Sequence, residues 1–131
     1  MSINNSILLL TVSLFLLSFT VELYPTNGET IYRTGKNIDG VVLLDKKQSR
    51  TTLFKSCQSC HGPKGSRMTR HSLKYSELSS LTNHKVPYTD SLIFRFLDDD
   101  LKSDGSPSRA GVKWNISHED KKDLIEFLKT L

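Results

Sequence analysis

Along the chain, apolar positions change from a solid block to a helical period. Residues 7–21 read ILLLTVSLFLLSFTV, an uncharged run with no polar alternation. Beyond it the chain is polar, and apolar residues return in short groups. After Pro87 they fall on one helical face: Thr89 is placed to cap, Asp90 suits a first turn, and Leu92, Ile93, Phe96 and Leu97 follow at helical spacing. Asp98, Asp99 and Asp100 oppose the negative end of a helix dipole, so this helix is expected to stop there. The three carboxylates are read as a solvated turn in preference to a calcium site. Ser117 caps the last expected helix, with Glu119 and Asp120 in its first turn. Leu124, Ile125, Leu128 and Leu131 form its stripe, and Phe127 widens it.

The rest is less regular. Gly28–Thr34 reads as a turn-rich or helical segment, and Val41–Leu44 as a short strand or a buried connector. Ser49–His61 is expected to be one short helix that Gly62-Pro63 terminates. A turn or two of helix is expected near Tyr75–Leu81. No repeat and no low-complexity segment appears.

The apolar run is shorter than the ~20 residues that span a bilayer, and it has the length of a signal-peptide core. Its leading flank, MSINNS, carries no Lys or Arg, and no A-x-A site follows. Residues 1–24 are therefore expected to be a signal peptide or an uncleaved anchor. Either places the body of the protein outside the cytoplasm, in a periplasmic setting, with membrane attachment only if the segment is retained. Removing those residues leaves 18 basic and 13 acidic side chains, a net of about +5. This favours an acidic docking surface on a partner. Nucleic acid is not indicated, since the basic residues are scattered and accompany no binding motif. A domain this small has a thin core and gains much from an internal staple.

Both cysteines of the chain lie in CQSCH, residues 57–61. This spacing is the c-type haem attachment signature. A helical turn with two intervening residues presents two thiols to the two haem vinyl groups, and each thiol adds as a thioether. The next residue, His61, then lies under the ring centre, where an imidazole binds iron. Rival readings are weaker. A Cys57–Cys60 disulfide would close a tiny loop. A thioredoxin-like pair needs a βαβ context. Zinc needs two more ligands, and His71, His84 and His118 lack finger spacing.

The stretch from Cys57 to Leu131 resembles the small monohaem class I c-type cytochromes of bacterial periplasms. The resemblance rests on CQSCHGPKG (57–65), LTNHKVPYTDSLI (81–93), the DGSP loop (104–107) and WNISHEDKKDLIEFLKTL (114–131). TNGETIYRTGKNIDG (26–40) is similar to the lead-in of one branch of these proteins. The resemblance implies an all-α fold with long loops wrapped around one covalent haem c, residues 25–48 as lead-in and 49–131 as the cytochrome domain. It also implies one-electron transfer, as a carrier or as a haem subunit of an oxidoreductase, rather than enzymatic turnover. The C-terminal helix would pack against the N-terminal part of the fold.

One feature departs from that pattern. Such proteins carry an iron-binding Met shortly before the last helix, and here that position registers at about Gly111-Val112, within SRAGVKWNIS. Candidates for the sixth ligand are His84, Met68, Lys113, His71 and His118, or no protein ligand at all. An open site would make the alternative function the binding or sensing of small ligands, with Trp114 and Phe127 as distal walls. Weak peroxidase-like chemistry would call on His84 or His71 as its acid-base residue.

Overall fold

The computed structural model describes residues 24–131, so the expected signal segment lies outside the described residues save for Tyr24. The architecture is all-α, with five helices among the described residues joined by long loops: α1 (Asn27–Thr34), α2 (Cys57–His61), α3 (Tyr75–Leu78), α4 (Asp90–Asp99) and α5 (His118–Leu128). Extended pairing among the described residues is confined to three isolated bridges, Lys36 with Val42, Leu44 with Trp114 and Leu101 with Pro107. No helix among the described residues is long and apolar enough to cross a membrane.

Local signals set the helix ends. Thr26 accepts from the Glu29 amide, Thr89 from Leu92 and Ser117 from Asp120, each removing one orphan donor. The central structural contact is α1 against α5. Gly28 makes it possible, because a Cβ there would stand 1.9 Å from the Asp123 carbonyl oxygen. That close approach buries Ile31 and Tyr32 with Leu124, Ile125 and Leu128. Leu43, Leu78, Tyr88, Ile93 and Leu97 complete the core. Residues 27–34 are thus part of the same core as the C-terminal helix.

One expectation is corrected, one open alternative is resolved and one reading is extended. The helix drawn over Ser49–His61 forms only from Cys57. Residues 49–51 instead follow the 111–113 strip, with the Arg50 amide donating to the Gly111 carbonyl at 2.9 Å. Ser56 then starts α2 with a capping box shared with Ser59, a stop to helix on its N-terminal side. Leu53 is left 79 % exposed. Second, the 41–44 segment is a connector: Leu43 and Leu44 are buried, whereas Val41 and Val42 face solvent. Third, the aspartate turn is tied in and not merely solvated. Asp98 pairs with Lys121 at 2.5 Å. Asp100 takes the left-handed conformation (φ 57°) as the α4 cap and accepts from the Ser108 hydroxyl.

Candidate functional site

The five-residue helix α2 carries CQSCH, and its position is set from outside. Gly35, at φ 70°, ends α1 directly against the chain entering α2, since a Cβ there would be 1.7 Å from the Lys55 carbonyl oxygen. At the other end, the buried Tyr32 hydroxyl donates to the Gly62 carbonyl at 2.6 Å. Burial pushes that phenol up to about 12, so it remains a donor throughout the working pH range. Arg67 closes over the exit, with its amide on the His61 carbonyl (2.9 Å) and its guanidinium on the Ser59 carbonyl (3.1 Å).

Cys57, Cys60 and His61 all open onto one cleft of about 930 Å³, its mouth included. Its walls are mainly apolar: Leu73 and Leu78, Ile93 and Leu97 of α4, and Leu124 and Leu128 of α5. Both thiols are free. Loss of solvent raises the Cys57 thiol to about 12 and also raises Cys60, so both are held as neutral S–H groups at neutral pH.

The imidazole of His61 is oriented by main chain. Its Nδ1 lies 2.8 Å from the His71 carbonyl oxygen. A carbonyl only accepts, so Nδ1 carries the proton and Nε2 keeps its lone pair. Burial holds the ring below the ordinary histidine range, with the His71 carbonyl acting in the opposite sense. A neutral imidazole with its tautomer locked is the form that binds a metal. Among the described residues, no three His, Cys, Asp or Glu side chains converge as a metal-binding group. Within α2 the donors are two sulfurs and one nitrogen, all lining a mainly apolar cleft.

Comparison with protein-family models, with curated proteins and with solved structures returned no match. The site therefore rests on its own geometry.

The structure sorts the remaining candidates. His84 and His71 reach the cleft. Met68 does not line it and is 41 % exposed. The Lys113 ammonium is turned away onto the Asp98 carbonyl. His118 stacks on Phe94 with centroids 4.9 Å apart, at the start of α5. Of the two expected aromatic walls, Trp114 lines the cleft, but Phe127 does not. It packs on Tyr32, with centroids 5.2 Å apart, in the α1–α5 seam.

Sequence reasoning missed Tyr32, Arg67, Tyr88, Ala110 and Val112 as parts of the site. Tyr32 and Arg67 act on main-chain carbonyls, which leave no trace in side-chain spacing. The Ala110–Val112 segment carried the nearest signal, since it includes the register where a Met is absent.

Proposed function

We propose that this chain is an exported one-electron carrier, or the haem subunit of an oxidoreductase, holding one covalent haem c. The observation carrying the reading is that Cys57, Cys60 and His61 line the same apolar cleft while His71 locks the His61 tautomer. The cleft walls are mainly apolar, its two sulfurs are free, and the His61 imidazole beside them is neutral and oriented, so the residues fit such a group.

Cys57 and Cys60 would hold it. Each thiol would add across one vinyl C=C, its sulfur bonding one carbon and its hydrogen passing to the other, so that no external oxidant or reductant would be consumed. His61 would bind iron through Nε2. When bound, the haem supplies the Fe(III)/Fe(II) couple that carries one electron. The protein's part is to orient and to exclude water. The His71 carbonyl fixes the imidazole plane and makes it a better donor. The leucine and isoleucine walls supply a low dielectric that tunes the potential. The thin helical core gains a staple from the same group.

Arg50, Lys55, Arg67 and Arg109 are exposed, and Lys55 and Arg109 are chain neighbours of the cleft-lining Phe54, Ser56 and Ala110. Exposed cations of this kind suit a redox partner with an acidic docking surface, and their effect on association would fade with salt. Export follows from the 7–21 run, which supplies the compartment where this attachment chemistry is done. Similarity to class I c-type cytochromes belongs to the same proposal.

The test is expression in a host that matures c-type cytochromes. The expected product is coloured, keeps its haem through acid–acetone extraction, and is reduced and reoxidised by one electron per chain. A colourless product with free or mutually bonded thiols would end the proposal.

A further inference from the structure

The hydrogen bond that orients His61 ends on a loop, and that loop is braced. Residues 62–73 leave α2 at Gly62 and return to set the His71 carbonyl 2.8 Å from the His61 Nδ1. Two main-chain bonds hold the return. The Gly65 amide donates to the Gly62 carbonyl at 3.2 Å, and the Leu73 amide donates to the Gly65 carbonyl at 2.8 Å. Leu73 lies two residues beyond His71, so this ladder fixes where the His71 carbonyl stands.

The first carbonyl of the ladder is also gripped from outside the loop. Gly62 accepts from the Tyr32 hydroxyl at 2.6 Å, and Tyr32 is fully buried. Its ring packs on Phe127 in the α1–α5 seam, with centroids 5.2 Å apart. A phenyl ring would fill that seam equally well. The hydroxyl contributes nothing to the packing, and a buried hydroxyl is costly unless it is bonded. Its one donor goes to the loop. A second strut runs alongside, since the Arg33 guanidinium of α1 donates to the Gln58 side chain of α2 at 2.8 Å.

We infer that Tyr32 is a positioning residue for the proposed iron ligand: acting through Gly62, Gly65 and Leu73, its hydroxyl holds the His71 carbonyl on His61. The inference rests on the haem reading above. A hydrogen bond at Nδ1 makes an imidazole a more basic metal ligand. A more basic ligand favours ferric iron, so loosening the loop should shift the couple towards the ferrous state.

The experiment compares matured holoproteins. Tyr32→Phe removes one oxygen, keeps the ring and leaves the Gly62 carbonyl its Gly65 amide, so the fold should survive. At a fixed applied potential its ferrous-to-ferric ratio should rise about threefold, an upward shift of about 28 mV. Replacing Tyr32 with para-aminophenylalanine, which keeps a donor at that position, should return the ratio towards wild type. Phe127→Leu disturbs the same seam without touching the hydroxyl. It should lower the melting temperature and leave the potential unchanged. A coloured Tyr32→Phe protein whose potential is unchanged or lower overturns this inference alone. So does a shift that para-aminophenylalanine fails to reverse, or an equal shift in Phe127→Leu, since packing would then carry the effect. Loss of haem from Tyr32→Phe, with the wild type coloured, would make the hydroxyl merely structural and overturn it too. Colourless wild type overturns the haem reading and this inference with it.

Discussion

The imidazole Nδ1 of His61 donates to the main-chain carbonyl of His71 at 2.8 Å, so a residue ten positions later fixes the tautomer of the proposed iron ligand. The contact is independent of the His71 side chain. It follows that His71→Ala should leave the haem spectrum and potential close to wild type, whereas His61→Ala should lose the axial nitrogen and change both. Spectra and potentiometry of the two matured variants check this. A His71→Ala potential shifted as far as that of His61→Ala would show that the side chain carries the effect.

The two cysteines proposed to anchor the haem should also be structural. In a chain with a thin core, the bound group adds stability in proportion to its affinity for the folded state. Cys57→Ala with Cys60→Ala is expected to lose haem on extraction and to show no cooperative thermal transition. A sharp melt with native-like helical ellipticity would contradict this.

Gly28 marks the closest helix approach. Adding a methyl group 1.9 Å from the Asp123 carbonyl forces α1 away from α5. Overpacking of this kind costs about 1–3 kcal/mol, and Gly28→Ala should lower the melting temperature by about 5–15 °C. Differential scanning calorimetry of the holoprotein measures it, with the attached haem spectrum as a check that the site survives.

Lys121 is buried on α5 and paired with the half-exposed Asp98 on α4 at 2.5 Å, with Phe94 beneath it at 5.4 Å. Removing only the acid strands the ammonium, while removing the charge itself does not. Solvent at Asp98 moderates the difference. Asp98→Ala is expected to destabilise by about 1–2 kcal/mol and Lys121→Met by less than about 1 kcal/mol, as read from denaturant midpoints. Equal losses would show that packing, not the pairing, matters.

Acid should release the α3–α4 tether. Asp90 accepts from the Tyr75 hydroxyl at 2.6 Å and from Lys129 at 3.0 Å, and the Tyr75 hydrogen bond leads in holding its carboxyl below the ordinary value of 3.8. A depressed folded value means that the unfolded chain binds the proton first. The stabilisation is therefore complete above the unfolded pKa and is lost as pH falls below about 3.8 through the folded value. Asp90→Asn should lower stability at pH 7 and flatten this acid limb. An unchanged slope of stability against pH in the variant would refute the assignment.

How much was legible beforehand can be argued residue by residue. The α4 and α5 stripes were readable because a helix repeats its buried face every three or four residues, and Thr89 and Ser117 mark its start chemically. CQSCH was readable because both thiols and the imidazole lie within one short helix. By contrast, Leu53 and Phe54 looked like a helical face preceding Cys57 but lie in a non-helical segment. Partners near residue 111 and the Ser56 cap outweigh local spacing there. Phe127, read as a cleft wall only for an open site and otherwise as a core aromatic widening the α5 stripe, lies in the α1–α5 seam, because that stripe serves two neighbours at once.

By itself, the sequence determined what depends on near neighbours: helical periods, caps, the single placement of both thiols beside an imidazole, and an apolar run near the start. Only the tertiary structure decided which distant groups share the cleft. It placed the His71 carbonyl on His61, turned Lys113 away, kept Met68 outside and brought Ala110, Val112 and Trp114 inside. Those outcomes come from main-chain hydrogen bonds and shared burial between segments far apart in the chain, and neither is written in the spacing of side chains along it.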